Sequence, residues 1–313
     1  MPLRAGFALR VLGRRRSVST HAQKAFPSHS TTQRLCHSAT RMIPDISVII
    51  VGYKNARLVR QTLKGIRRVS PALSYEILLV ENDPSGATAD MAREFPEVTV
   101  IGDRKNLGFG GGMNLGIQAA RGRYLLVFNP DVIVLPGAFE ELVAYLDQHP
   151  DVGIVGPQLR NPDGTLQYSC YRFMEPKTVL YRRLPFVRRL SFVKRHLDAY
   201  VLADWDHTET RNVDYLLGAS MLVRREALDQ VGGFDPAYFM YFEDQDLCRR
   251  FWKAGWKVVY HPKARLIHYH RRETADGNFL QQLCHRLTRI QMQSAVYYFR
   301  KYRGEPNPRT SKT

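Results

Sequence analysis

Three carboxylates, Glu243, Asp244 and Asp246, stand close together directly after an aromatic run of Tyr238, Phe239, Tyr241 and Phe242. Leu247, Phe251 and Ala254 follow at i, i+4 and i+7, a spacing that predicts a helix starting near Asp244 with that face buried. The acids then crowd the helix N-terminus, where the macrodipole favours negative charge. Capping by surface acids accounts for any one of them alone. Three together behind an aromatic run point to a site, and the chemistry open to clustered carboxylates is proton transfer or the binding of a hard cation. Further along, His268 and His270 end a strand-like segment; alone they read as structural, but here they follow the carboxylate cluster.

A second set of polar residues is spaced along the first half of the chain. Gly52-Tyr53-Lys54-Asn55, Glu81-Asn82-Asp83-Pro84-Ser85, Asp103-Arg104-Lys105-Asn106 and Asn129-Pro130-Asp131 each follow an apolar run. Those runs, at 46–51, 76–80, 98–101 and 124–128, are short and continuous, as strands buried on both faces are. Helical patterns lie between them at 56–69, 87–95 and 112–120, then at 137–148 before a strand at 152–155. The alternation predicts an α/β fold with a mainly parallel sheet flanked by helices. Ligands of such sheets sit beyond the carboxyl ends of the strands. The polar ends therefore converge on one rim, which suits a nucleotide with its diphosphate. The run Gly108-Phe109-Gly110-Gly111-Gly112 matches neither the dinucleotide fingerprint nor the P-loop, and reads as a loop before a helix opening at Gly112. Downstream, 213–223 is strand-like around Gly218-Ala219, and 225–230 is a short helix.

The 313 residues carry 46 Lys+Arg against 29 Asp+Glu, a net charge of +17, with 44% apolar and 11% aromatic residues. That composition supports a sizeable core and excludes a collagenous or wholly disordered chain. No run approaches the roughly 18 to 20 apolar residues of a spanning helix. Four scattered cysteines without a CxxC pair argue against a zinc ribbon or a disulfide scaffold and favour a reducing compartment. Residues 1–42 contribute +8 and no acid, and lie outside the predicted fold. Three readings of them stand: a start of translation at Met42, a solvated disordered tail, or an Arg-rich targeting segment. The window 177–197 adds +7, its basic pairs alternating with Val179, Leu180, Leu184, Phe186, Val187, Leu190, Phe192 and Val193. Interleaving of this kind suits an anionic membrane surface; the plainer alternative is an insertion packed on the domain. No recognition motif accompanies the charge, so nucleic acid is not an expected partner.

GYKN after a strand, VENDPSG, RKNLGFGGGMNLGI, VFNPDV, GASMLVRREALDQVGGFDPAYFMYFEDQDLCRR and HYH occur in the order found in family 2 glycosyltransferases of the GT-A fold. The chain resembles most the bacterial rhamnosyltransferases that build cell-wall and surface polysaccharides, over about 43–300. The resemblance implies a catalytic domain at 43–270 with a basic insertion at 177–197, and a C-terminal helical extension at 271–313. It implies transfer, with inversion, of a sugar (L-rhamnose as the best match) from a nucleotide-diphospho-sugar to a lipid-linked saccharide, at the cytoplasmic face of the membrane. Asp244 corresponds to the family's base, with Glu243 and Asp246 shaping its field, binding acceptor hydroxyls or ordering the helix start. Asp131 corresponds to the surviving ligand of a DxD motif for Mg²⁺ or Mn²⁺, with Asn129 in place of its first Asp, and His268 (His270 second) as the histidine partner. Tyr53, Asn55 and Glu81 are implied at the nucleoside, Arg104 and Asn106 near the diphosphate, and Gly218, Ala219 and Asp235 on the acceptor side. Glu81 stands where the family commonly has Asp. Two other classes fit parts of the chain: a nucleotidyltransferase, which lacks its expected N-terminal phosphate loop here, and a basic nucleic-acid-binding protein, which leaves the acidic clusters without a purpose.

Overall fold

The computed structural model describes residues 42–269 and 286–311. His270, residues 1–41 of the basic leader and residues 270–285 of the expected C-terminal extension lie outside the described residues.

The first half alternates strand and helix: β1 (Ile46–Gly52), α1 (Ala56–Val69), β2 (Tyr75–Glu81), α2 (Ala87–Ala92), β3 (Val98–Ile101), α3 (Gly108–Ala119) and β4 (Tyr124–Phe128). Then follow β5 (Val132–Val134), α4 (Ala138–Gln148), β6 (Val152–Arg160) and two short strands, β7 (Leu166–Gln167) and β8 (Cys170–Tyr171). A helical hairpin comes next, α5 (Pro176–Arg183) and α6 (Ser191–Tyr200). The chain continues through β9 (Arg211–Asn212), β10 (Tyr215–Leu216), β11 (Ser220–Arg224), α7 (Arg225–Val231), α8 (Glu243–Ala254), β12 (Lys257–His268) and α9 (Arg286–Lys301).

Strands order as β3-β2-β1-β4-β11-β6-β12-β5, with β7 beside β6 and β9 beside β12. β1 pairs in parallel with β2 and β4, β2 with β3, and β6 with β12. β11 runs antiparallel between β4 and β6, and β5 antiparallel to β12. The sheet is mixed and mostly parallel, as expected. Its chain path leaves β1 toward β3 and returns to β4 on the other side, so a topological switch point opens beyond β1 and β4.

The uninterrupted apolar run of β1 has a direct cause. Val48 and Ile50 join the core under α1 and α4, while Ile49 and Val51 join the opposite core under α3 and α8, so both faces of the strand are buried. A third cluster gathers Tyr238, Phe242, Ala295, Tyr298 and Tyr302, which seats α9 on the body.

Two expectations need correction. The glycine run is not a loop: α3 begins at Gly108, and the glycines are its first turns. Their lack of a side chain lets the helix lie hard against β1 and the loop before α8. At Gly108, with φ +75°, a Cβ would collide with the Phe239 carbonyl, and at Gly116 with the Ile49 side chain. The strand-like stretch 213–223 also divides. β10 pairs with β8 in a separate two-stranded sheet and β11 enters the main one, with a turn through Gly218-Ala219 between them.

This close packing gives a matched test. Gly65, in α1, has open space where a Cβ would stand, so Gly65→Ala should stabilise the protein by about 0.5–1 kcal/mol through helix propensity. Gly116→Ala should instead destabilise it by about 1–3 kcal/mol through overpacking. Equal midpoint shifts of the two variants in urea would show that α3 is not packed on β1 as described.

Candidate active site

The rim beyond β1, β2 and β4 is built from backbone-directed polar side chains. Glu81 is buried and its two carboxylate oxygens accept from the amides of Asp83 (3.0 Å) and Ala89 (2.6 Å), so it shapes the turn into α2. Asn55 accepts from the Tyr53 amide at 2.9 Å, fixing the loop that presents the half-buried Tyr53. Asn106 accepts from the Gly108 amide at 3.0 Å and so serves the start of α3. Arg104, at φ +63°, lies against Gly86. The nucleoside and diphosphate candidates are thus gathered on one rim, although Glu81 and Asn106 spend their acceptors on the chain itself. Asn82 was not singled out in sequence, yet it bridges the rim: its Oδ1 accepts from the Leu107 amide at 2.9 Å and its Nδ2 donates to the Gly108 carbonyl at 3.0 Å.

Asn129 and Asp131 follow β4 into a turn held from below. Thr62 of α1 is buried and donates to the Pro130 carbonyl at 2.6 Å. Past the turn, β5 pairs with the end of β12, placing His268 opposite Val132. The Tyr269 amide donates to the Asp131 carbonyl at 2.9 Å. The result is that His268 Nε2 and Asp131 Oδ1 approach to 3.2 Å, while that oxygen is buried without a hydrogen bond. The pair is within ion-pair distance but lacks the alignment of a hydrogen bond.

Gln167 explains the alignment. Its amide nitrogen donates to Asn161 Oδ1 at 2.8 Å and to the His268 carbonyl at 3.3 Å, which leaves its oxygen to accept from His268 Nδ1 at 2.6 Å. With Nδ1 donating to Gln167, it is Nε2 that faces Asp131, and in the neutral tautomer so fixed that nitrogen presents its lone pair there. Two lone pairs aimed into one gap are the donor set of a shared cation: ligands at about 2.1 Å and at right angles around a hard ion lie about 3 Å apart. His268 and Asp131 fit that requirement. Among the described residues no third His, Cys, Asp or Glu joins them.

The carboxylate cluster lies at the first turn of α8. Phe242, in the left-handed region at φ +70°, turns the chain into the helix. Asp244 Oδ2 accepts from the Gly218 amide at 3.2 Å, and the Ala219 carbonyl of the same turn accepts from the Asn129 amide at 2.9 Å. Gly218 and Ala219 thus join Asp244 to the Asn129–Asp131 segment. Burial pushes the Asp244 carboxyl up to about 6, against the lowering effect of the Gln245 and Gly218 amides. Glu243 is buried, with Oε2 unbonded, and burial together with the neighbouring Asp244 charge raises its pKa well above the usual range. Both carboxyls are therefore held above the ordinary carboxylate range, Asp244 by burial and Glu243 by burial together with the Asp244 charge.

Asp246 belongs elsewhere, which corrects its place in the catalytic set. It has no exposed surface and accepts from Tyr302 Oη (2.8 Å), Tyr238 Oη (3.2 Å), Lys301 Nζ (2.7 Å) and Arg250 Nε (2.8 Å). Lys301 and Tyr302 thereby tie the end of α9 to α8, and with no exposed surface Asp246 is out of reach of an acceptor hydroxyl. Asp235 shares that junction, accepting from Lys301 Nζ at 2.7 Å and Tyr297 Oη at 3.1 Å. Of the three acids Asp244 alone is not buried, and it is the one bonded to the Gly218 turn.

The model of the family described as "Glycosyltransferase like family 2" matches residues 44–292. The N-acetylglucosaminyl-diphospho-decaprenol L-rhamnosyltransferase of Mycobacterium tuberculosis is 32% identical over 223 residues, 63% of this chain and 67% of that protein. The rhamnosyltransferase WbbL of Escherichia coli is 23% identical over 232 residues, 72% of this chain and 83% of its own length. Among solved structures, GalNAc-T7 with UDP, GalNAc and Mn²⁺ superposes with a TM-score of 0.54 at 17% identity, covering 75% of this chain and 45% of that one. The chain spans less than half of that structure, and the likeness is one of fold, the GT-A fold.

Proposed function

Starting from a chain that belongs to glycosyltransferase family 2, we propose that this glycosyltransferase moves a sugar, with L-rhamnose the leading candidate, from a nucleotide-diphospho-sugar to a lipid-linked saccharide with inversion at the anomeric carbon. The rhamnosyl assignment is supported by the rhamnosyltransferases among its relatives, one of which is named for a diphospho-decaprenol acceptor. The observation that carries the mechanism is the half-buried Asp244, held by the Gly218 amide with its carboxyl raised to about 6, beside the buried Glu243.

Asp244 is the base. As the acceptor oxygen forms its bond to the anomeric carbon, Asp244 takes the hydroxyl proton, and the bond to the nucleoside diphosphate breaks with its electrons leaving on the diphosphate. A carboxyl raised to about 6 still ionises at neutral pH but is a stronger base than an exposed one. One carboxylate on the acceptor side suits a single displacement with inversion. Burial and the Asp244 charge push Glu243 toward its neutral form, which disfavours a second base beside the first. Asp131 and His268 would hold a divalent cation, Mg²⁺ or Mn²⁺, whose charge offsets that developing on the leaving diphosphate. Gln167 would keep His268 in the ligating tautomer. Tyr53, Asn55 and Arg104 line the rim proposed for the nucleoside and diphosphate, with Asn129 at the ribose or cation.

The helical hairpin is the proposed contact with an anionic membrane, on its cytoplasmic face. Leu180, Phe186, Leu190 and Phe192 are all exposed, Phe186 at 69%, beside Arg188, Arg189 and Lys194. Thr178 and His196 hold its two helices together at 2.7 Å. An apolar surface interleaved with cations matches a headgroup boundary. Among the described residues no helix is long and apolar enough to cross a membrane.

Asp244→Asn should abolish transfer while donor binding, followed by calorimetry, stays within about twofold. In the parent, kcat/KM should fall tenfold per unit below about pH 6. The sign for stability is the reverse: a carboxyl whose folded pKa is raised stabilises the fold least once ionised. Asp244→Asn should therefore melt no lower than the parent at pH 8; retained turnover, or an acid limb near pH 4, would dismiss Asp244 as the base. For the membrane contact, replacing Phe186 and Phe192 with Ser and Arg188 and Arg189 with Glu should abolish sedimentation with phosphatidylglycerol vesicles. Unchanged sedimentation would remove the hairpin from that role.

A further inference from the structure

One cation of the hairpin packs on an aromatic stack while staying exposed. Arg182, in the last turn of α5, has its guanidinium 5.7 Å from the centre of the Tyr200 ring. Tyr200 stacks on Tyr171 at 5.2 Å, Tyr171 on Tyr215 at 5.2 Å, and the hydroxyls of Tyr200 and Tyr215 lie 2.5 Å apart. This stack stands on β8 and β10, and the chain from β10 runs directly into the Gly218 turn that bonds Asp244. Arg182 and Asp244 both rank among the principal charges acting on Tyr171 and Tyr200. Tyr215 lies under the influence of Asp244 and itself acts on Arg182. The tyrosine stack thus links the guanidinium, over Tyr200, to the strand that leads into the turn bonding Asp244.

Arg182 meets no carboxylate among the described residues, a situation it shares with Arg211 and Arg249, which also lie over aromatic rings. Arg67, Arg121, Arg123, Arg250 and Arg309 each meet a carboxylate. The neighbours of Arg182 are phenols, its backbone carbonyl accepts from Arg188 Nη2 at 2.5 Å, and its side chain remains open to solvent. Arg183, beside it, adds a second charge and is held by Thr288 and Gln291 of α9. A guanidinium oriented on rings, with its fork left free of carboxylates, is matched to an oxyanion with paired acceptors, for which Arg is better suited than Lys.

We propose that Arg182, backed by the charge of Arg183, binds the diphosphate of a prenyl-diphosphate-linked acceptor and so sets the acceptor's saccharide over Asp244. The site lies on the hairpin whose outer surface is proposed to meet the membrane, so a lipid leaving the bilayer would pass its diphosphate to Arg182 before its sugar reaches the base. This inference rests on the lipid-linked acceptor proposed above. It adds the group that recognises the anionic link and accounts for why a cation is needed there. The Asp244 carboxylate would otherwise meet a second anion with no compensating charge.

Calorimetric titration of farnesyl diphosphate into the full chain tests it, with chelator present so that no divalent ion supports phosphate binding at the donor rim. The wild type should bind, Arg182→Gln should bind at least about tenfold more weakly, and Arg182→Lys should fall between, because a point charge lacks the fork. Farnesol and inorganic pyrophosphate serve as the two control ligands. Equal affinity of wild type and Arg182→Gln for farnesyl diphosphate, or no binding by the wild type, overturns the proposal. So does farnesol binding as tightly as the diphosphate, since the affinity would then belong to the apolar face. Pyrophosphate bound equally by all variants, with farnesyl diphosphate sensitive to Arg182, supports it. Matched melting curves exclude misfolding of Arg182→Gln, and Arg182→Lys carries the comparison if they differ. Donor turnover in the wild type is measured alongside: its absence counts against glycosyl transfer itself, whereas turnover with an unchanged isotherm counts against Arg182 alone.

Discussion

The insertion of one antiparallel strand, β11, between β4 and β6 sets the geometry on which the site depends. Its pairing with β4, Ser220 against Phe128, brings the preceding turn beside the segment that leaves β4. From that contact a continuous path of bonds follows. The Gly218 amide holds Asp244, the Ala219 carbonyl holds the Asn129 amide, and the Asp131 carbonyl holds the Tyr269 amide next to His268. Backbone groups make most of these links, so the two ends of the site are fixed by sheet pairing rather than by mobile side chains. The chemistry proposed for each end requires that rigidity, because proton transfer and cation binding both tolerate little displacement.

Charge in the site is controlled by water exclusion. Glu243, Asp244 and Asp246 lie within one helical turn, and three ionised acids there would repel strongly. The fold separates their environments. Asp246 receives two cations and two phenol hydroxyls, and Asp244 receives amides and remains half-buried. Glu243 keeps one oxygen unbonded, and burial pushes it toward its neutral form. Adjacent carboxyls thereby sit in three different environments. Burial of the Asp244 charge is costly to the fold, a tension common where a charged group is kept for reactivity.

Much of the architecture was legible because it rests on local pattern. The strands at 46–52, 75–81 and 124–128 are buried on both faces and read as plain apolar runs, and α1 falls where its periodicity predicts. The polar rim followed from the rule that ligands gather at the carboxyl ends of such strands. What escaped depends on non-local contact. Glycines that read as a loop are helical because β1 and the Phe239 carbonyl stand where side chains would be. Gln167 lies in a two-residue strand with no period to mark it, 101 residues from the histidine it orients. The role of Asp246 could not be separated from that of Asp244 in sequence, since two of its four partners, Lys301 and Tyr302, lie more than fifty residues away at the end of α9.

The charge that dominates the composition is concentrated in the leader and in the hairpin of α5 and α6, where Arg182 also packs on the Tyr200 ring. The central claim is the division of labour between the two ends of the site: Asp131 and His268 for a cation, Asp244 for a proton. Mn²⁺ binding followed by electron paramagnetic resonance, with a nucleoside diphosphate present, tests it most directly across the parent, His268→Ala and Asp244→Asn. His268→Ala should weaken Mn²⁺ by about tenfold or more, while Asp244→Asn keeps parental affinity. Undiminished binding by His268→Ala, or an equal loss in both variants, would contradict it.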